Sequence, residues 1–559
     1  MILKLESILN EAFKSLGLEN NSKVSKSEIE NVDFQCNDAF KLAKVYKKNP
    51  LEICESVCDY LNNLSCFDEY FSMVSFAKPG FINIKVSDNF INNSLMDIIN
   101  DERFGMKKSS LKIVLDYGGP NVAKPLHVGH LRTAIIGQAI NNILKFQGNE
   151  TISDVHLGDI GLQMGQVIYG ILRDFKGIPL EDISFDLNYL NKTYPEISAL
   201  CKENEEVKEE CALITKELQE GNLEYKALWK KIYDISVSDI KRLYDYLSVS
   251  FDYWYGESDA YKYFPKMMDL LKGIMVREQG ALVVPVALET DKVTMPPCII
   301  QKSNGAYLYS TSDLGTIYQR VLDFNPDEII YVADARQSLH FTQIFRVAKK
   351  SEMFLGNLEF VGYGTVNGPD NKPFKTRSGA SFKLDDLISE VKNTFISMRE
   401  ENSNMDNSDL DKIVNSIIKF ADLQNDLERN YIFDISKFSE VNGKTGPYIL
   451  YTYLRFNKII DETSGELSLN IYNEADRKLR MKLLEVSSVL DSAALEKRPH
   501  YIANYLYELA TVCNNFYGVN KINGLTGQIK CDYNIILKFN NKVIKTLLNL
   551  LGIDVPKVM

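Results

Sequence analysis

At 559 residues the chain is longer than one hydrophobic core usually supports, and a typical domain size of roughly 150 residues divides it into about three or four domains. Hydrophobic residues at 45% and charged residues at 25% exclude a chain dominated by disorder. The net charge of -11 excludes nonspecific attraction of nucleic acid to the whole surface, so any RNA must meet local basic patches.

The first residues, MILKLESILNEAF, alternate charge with apolar side chains where a signal peptide would carry a continuous apolar stretch, and no run of about eighteen apolar residues follows. The cytoplasm is the expected address, with no membrane contact. Leu3, Leu5, Ile8, Leu9 and Phe13 mark an amphipathic helix and FINIKVS alternates as a strand, so residues 1–105 read as a small α+β domain. From 106 to 390 the runs KIVLDY, ALVVPVAL and DEIIYVAD alternate with helical stretches, the pattern of a parallel α/β sheet. A helical insertion is expected at about 171–290, its charge-rich part KENEEVKEECALITKELQEG reading as a solvated helix pair. ENSNMDNSD at 401–409 reads as a loop or boundary. Residues 391–559 keep the 3.6-residue period, as in YIANYLYELATVCNNFYGV, and read as an all-α bundle. The nine cysteines include no C-x-x-C pair and read as reduced thiols, with Cys54 and Cys58 on one helix face.

Two of only five histidines, His127 and His130, sit three apart in DYGGPNVAKPLHVGHLRTAIIGQAI. The strand ends near Tyr117, Gly118, Gly119, Pro120 and Pro125 make an extended loop, and an apolar helical period runs from Leu131 to just before Gly148. Strand, loop and helix in that order place the loop at the carboxyl end of a strand, where ligands bind, and the helix N-terminus favours a phosphate. Two imidazoles one turn apart can donate hydrogen bonds to phosphate oxygens, and Gly129 leaves room for a nucleotide near the backbone. The spacing alone also fits a chance pair or half a zinc site. No glutamate completes H-E-x-x-H and no third ligand follows nearby, so no metal site is expected.

PNVAKPLHVGHLRTAIIG resembles the first signature region of arginyl-tRNA synthetases, in which P-N-x-A-K-P precedes the HIGH motif. VHLGDIGLQMG, NGAYLYSTSDLG, YVADARQSLHFTQIF and NKPFKTRSGASFKLDDL resemble further segments of that family in the expected order, and the likeness runs from DFQCNDAFKLAK and PGFINIKVS to GKTGPYILYTYLR and LLGIDVPKVM. The resemblance implies a Rossmann-type class I synthetase catalytic domain, an N-terminal α+β domain and a C-terminal all-α anticodon-binding bundle. It implies that arginine and ATP form arginyl-adenylate and pyrophosphate. The arginyl group then passes to the 2′-hydroxyl of the terminal adenosine of tRNA(Arg), with tRNA needed for activation.

By the same resemblance His127, His130 and Gly129 hold the ATP phosphates, and Lys124 brings a positive charge to them. Asp313 pairs with the arginine guanidinium, with Tyr309, Gln337 and Asn121 as further contacts. A guanidinium is a permanent cation with a planar fork of donors, so a carboxylate and acceptors suit it. Asp313 alone is also compatible with a helix N-cap. The second signature survives only as Pro373-Phe374-Lys375-Thr376-Arg377-Ser378-Gly379, with Thr376 in place of its second lysine. The implied clamp on pyrophosphate is Lys372, Lys375 and Arg377, with Lys124 compensating. Mg2+ arrives with ATP, and a monomer is expected. Ile160, Gln138 and Gly118-Gly119 depart from the tryptophan, acidic residue and serines common in the family.

Tyr448, Tyr451, Tyr453, Tyr501, Tyr505, Tyr507, Phe516 and Tyr517 crowd the bundle, but a helical aromatic stripe is mostly core. The alternatives are a synthetase for another amino acid, a divergent or regulatory paralogue that binds tRNA with little or no aminoacylation, and a nucleotidyltransferase outside translation. Asp313 argues against the first. The retained His127, His130 and Lys124 argue against the second, and the helical last third against the third.

Overall fold

The computed structural model describes residues 1–368, 371–372, 382–399, 405–461, 465–468 and 470–559. By compactness the chain divides into two units: Met1–Lys107 with Arg455–Val489 and Tyr505–Ile544, and Lys108–Leu454 with Leu490–Asn504 and Lys545–Met559. The helical last third therefore contributes to both. Among the described residues no helix is long and apolar enough to cross a membrane.

The first unit holds a four-stranded antiparallel sheet ordered Ser25–Lys26, Phe34–Cys36, Phe81–Val86, Phe71–Ala77. The Ile2–Ser15 helix buries Leu5, Leu9, Ala12 and Phe13. The Pro50–Asn62 helix starts on Pro50 with Asn49 accepting from the Leu51 amide and buries Cys54 and Cys58 on one face. Arg477 joins this sheet to the Glu474–Leu483 helix through Asp33 at 2.7 Å and the Val86 carbonyl at 3.0 Å.

The second unit is built on a parallel sheet ordered Glu150–Asp154, Lys112–Asp116, Glu328–Asp334, Asn357–Tyr363. Counted in chain order these strands run 2-1-3-4, so the chain leaves the central pair in opposite directions. That reversal opens a crevice at their carboxyl ends. The register brings Asp116 level with Asp154 and Tyr331. Val114, Ile329 and Tyr331 of the sheet pack with Leu314, Ile317, Phe341, Ile344 and Val347 of the Tyr309–Phe324 and Ser338–Lys350 helices.

The connection from the second strand to the third is long. It contains the helices Leu162–Asp174, Leu187–Glu203, Glu205–Glu220, Leu223–Tyr246 and, further on, Phe264–Leu271, so the expectation of a helical insertion over 171–290 is corrected only from Val276 onward. Val276–Glu278, Ala281–Val284 and Cys298–Gln301 form a separate antiparallel sheet, so ALVVPVAL is not a strand of the parallel sheet. The cause is local: Gln279 and Gly280 both have positive φ, 48° and 84°. A two-residue turn of that kind returns the chain beside itself, whereas a parallel neighbour needs a crossover. The segment 401–409 is also corrected in part. Residues 401–404 lie outside the described residues, but Asp406 caps the Asn407–Leu423 helix by accepting from the Asp409 amide.

Candidate active site

The helix after the first strand runs Val128–Gln147, three residues earlier than its apolar period, and stops at Gly148 with φ 108°. It begins on its own histidines. His127 is the N-cap: its Nδ1 accepts from the Gly129 amide at 3.0 Å, and His130 Nδ1 accepts from the His127 amide at 3.2 Å. An imidazole whose Nδ1 accepts carries its proton on Nε2 when neutral. The rings stack at 3.8 Å between centroids with 28° between their planes, placing two Nε2–H donors side by side. A Cβ at Gly129 would stand 2.7 Å from the His127 ring, so glycine here admits the folded-back imidazole. Burial, then the Lys124 charge, lowers the His127 pKa, and burial with His127 and Lys124 lowers that of His130 to about 3. Both rings are neutral donors near pH 7.

Thr133 and Arg132 set this helix against the sheet. Thr133 Oγ1 accepts from the Gly118 amide at 2.9 Å and donates to the Val332 carbonyl at 2.7 Å. The buried Arg132 donates to the Gly364 carbonyl at 2.7 Å and pairs with Asp422 at 3.0 Å.

The imidazoles open onto a cleft of about 780 Å³ at the crevice between the first and third strands, also lined by Asp116, Asn121, His156, Gly158, Glu257, Tyr309, Asp313, Gln337 and His340. This is the size of a small-ligand or cofactor site. Asn121 is bridged to Gly158, where a Cβ would stand 2.2 Å from Asn121 Oδ1. Tyr309 opens its helix and Asp313 follows one turn later on the same face. The N-cap is Leu308, so the reading of Asp313 as a cap is overturned. Its Oδ2 accepts from His340 Nε2 at 2.5 Å. Gln337 ends a short turn in which Asp334 accepts from the Arg336 amide at 2.9 Å.

Of the sequence candidates, Asn121, His127, Gly129, His130, Tyr309, Asp313 and Gln337 all line this cleft. Lys124 does not; its ammonium lies 4.7 Å from the centroid of the Tyr194 ring, although its charge reaches both imidazoles. Lys372 is exposed and is not among the residues that line the cleft. Lys375, Thr376 and Arg377 lie outside the described residues.

Sequence reasoning missed Glu257. The VHLGDIG segment brings it in: the Glu257 amide donates to the Leu157 carbonyl at 2.9 Å, and Asp159 accepts from the Ser258 amide at 3.0 Å and its hydroxyl at 2.6 Å. Burial, together with Asp313 and Asp159 nearby, raises the Glu257 carboxyl to about 7. His156 and His340 lie inside quoted motifs, but nothing in YGESDAYKY distinguishes one glutamate from a surface turn.

Two departures from the family pattern have local reasons. Gly118 has φ 76° and a Cβ there would stand 2.8 Å from Phe251; a Cβ at Gly119 would stand 2.7 Å from the His156 carbonyl. Gln138 accepts from the Ser250 amide at 2.8 Å and donates to Asn142 at 2.8 Å, a donation that an ionised carboxylate cannot make. Ile160 is buried, and nothing in the structure explains it against tryptophan. In the aromatic stripe Tyr505 and Phe516 are buried, while Tyr451 is exposed.

The family model for the catalytic domain of class I tRNA synthetases (R) matches residues 93–435, and that for the arginyl-tRNA synthetase N-terminal domain matches residues 3–86. The chain belongs to the arginyl-tRNA synthetase family. The DALR anticodon-binding domain model covers 449–559, completing the family's three parts. The arginine–tRNA ligase of Alkaliphilus oremlandii is 39% identical over 588 aligned residues, and that of Agathobacter rectalis 40% over 599, each covering 100% of both chains. Among solved structures the arginyl-tRNA synthetase of Plasmodium falciparum superposes with a TM-score of 0.82 at 25% identity, covering 100% of this chain and 99% of that one. The Thermus thermophilus arginyl-tRNA synthetase, at 0.80 and 20% with 100% of both chains covered, is alike in fold.

Proposed function

We propose that the enzyme is an arginine–tRNA ligase that binds ATP at the imidazole end of the cleft and L-arginine at its carboxylate end, and charges tRNA(Arg). One observation carries this: Asp313 and Glu257 face the same cleft as the paired Nε2–H donors. Two carboxyls suit a guanidinium, whose five donors need acceptors and whose charge needs an anion. Asn121, Tyr309 and Gln337 are the further arginine contacts, and Gly129 lets the phosphates approach the helix start.

In the reaction the arginine carboxylate attacks the α-phosphate, the bond to the bridging oxygen breaks and pyrophosphate leaves. The 2′-hydroxyl of the terminal adenosine then attacks the arginyl carbonyl and releases AMP. Such displacement needs positioning and charge stabilisation, with no covalent nucleophile. His127 and His130 donate to phosphate oxygens as charge builds. Lys375 and Arg377 supply cations to the pyrophosphate, joined by Lys372 when the loop that carries it closes, and Lys124 adds its charge from beyond the cleft lining, where it already acts on both imidazoles. Mg2+ enters on the phosphates of ATP, which carry the oxygen ligands it prefers.

The enzyme acts as a cytoplasmic monomer, the helical last third reading the anticodon arm and the N-terminal domain the outer corner of the tRNA. ATP–pyrophosphate exchange across the twenty amino acids, with and without tRNA, tests the reading. Exchange with arginine alone, and only with tRNA, is the expected result; exchange with another amino acid overturns the substrate, and full exchange without tRNA overturns the tRNA requirement.

A further inference from the structure

Among the described residues His340 makes no hydrogen bond to the imidazole pair, the strand ends or the turn that carries Glu257. Among the described residues its hydrogen-bond partner is Asp313, whose Oδ2 it meets through Nε2 at 2.5 Å. The contact joins two helices, Tyr309–Phe324 and Ser338–Lys350, and both side chains line the cleft. The imidazole is itself held: it meets the Phe341 ring edge-on at 5.4 Å, and Phe341, buried, stacks on Phe360 at 4.9 Å and leans on Tyr331 at 4.9 Å. A carboxylate on an isolated helix face rotates about two side-chain bonds. One anchored through a single oxygen presents the other in a fixed direction.

We propose that His340 is a positioning residue for the amino-acid substrate: it donates Nε2–H to Oδ2 of Asp313 and leaves Oδ1 aimed into the cleft for one arm of a guanidinium. This rests on Asp313 being the guanidinium partner. His340 contributes nothing to ATP binding, and its loss frees the Asp313 carboxylate without removing its charge. The effect falls on arginine capture, because the ordering that the imidazole supplied must then come from the substrate's own binding.

The test is steady-state exchange kinetics with tRNA present, on H340A, H340Q, D313A and H340A/D313A. The Gln amide N–H reaches where Nε2–H stands, so H340Q separates donation from bulk. We expect H340A to raise the arginine KM about ten-fold, with kcat within about two-fold and the ATP KM unchanged. H340Q restores most of the loss, and H340A/D313A is no worse than D313A. An unchanged arginine KM in H340A, a parallel rise in the ATP KM, no rescue by H340Q, or additivity in the double variant overturns the proposal. D313A separates the two levels: if it raises the arginine KM while H340A does not, the His340 role alone falls, and if neither does, Asp313 is not the guanidinium partner.

Discussion

Arg320 and Asp154 meet at 2.7 Å with both side chains 1% exposed. The same guanidinium nitrogen reaches Asp116 at 2.7 Å, so one buried cation fastens the helix carrying Tyr309 and Asp313 to the ends of the first two strands. Removing it leaves the buried Asp154 and the partly exposed Asp116 without their shared cation. Arg320→Met should cost about 3–5 kcal/mol of stability, read as a lowered denaturant midpoint. R320M/D154N should recover part of it, and an unchanged midpoint in R320M would show that the pair holds nothing.

Glu257 gives the arginine site a pH dependence. Its folded carboxyl is raised from 4.5 to about 7, so in the free enzyme it is largely neutral below about pH 7 and anionic above. The arginine KM should fall as pH rises through 7 and then level, and E257Q should show a high, flat KM. The linkage runs the other way for stability: a raised folded pKa stabilises below 4.5, and that contribution is lost as pH climbs through 7. E257Q should therefore melt higher than the parent at pH 8. Equal melting temperatures at pH 8 would contradict the placement of this carboxyl.

His127 has two separable jobs. Nδ1 caps the helix, and Nε2 faces the cleft. Asparagine is a good N-cap and keeps an acceptor for the Gly129 amide, but it ends before the Nε2 position. H127N should fold and melt like the parent while kcat for exchange falls about 100-fold. Loss of folding in H127N, or retention of its rate, would refute this division.

His130 adds an acid sensitivity. The unfolded ring takes a proton near 6.5, and the folded ring refuses one until about 3. Stability is complete above 6.5 and declines as pH falls through that window. H130N keeps an acceptor for the His127 amide and carries no titrating ring, so it should lose less stability between pH 6.5 and 4. Parallel slopes would show the ring to be open to solvent.

Gly118 stands where serines are frequent in the family. With φ 76° and Phe251 2.8 Å from its missing Cβ, G118S should cost about 1–3 kcal/mol, with part recovered in G118S/F251L. A G118S variant as stable as the parent would show that this turn adapts.

The strands KIVLDY and DEIIYVAD and the helix that stops at Gly148 were legible because period, length and punctuation agree there. The spacing of Tyr309 and Asp313 was legible for the same reason: residues four apart on a helix share a face. ALVVPVAL misled because an apolar run states that a strand is buried and not which sheet it joins; that was decided by two backbone angles at Gln279 and Gly280. Glu257 was hidden because its place depends on Asp159, about a hundred residues earlier, gripping Ser258. The direction of the Lys124 ammonium depends on Tyr194, on an element whose packing no local pattern reveals.

The long connection between the second and third strands has a price during synthesis. Lys112–Asp116 sits in the middle of the finished sheet, yet its partner Glu328–Asp334 is more than two hundred residues downstream. At roughly 5–20 residues per second, one edge of that strand waits about 10–40 s on the ribosome for its neighbour. A nascent chain of some 300 residues therefore displays a Val- and Leu-bearing open edge, the kind of surface that recruits another strand.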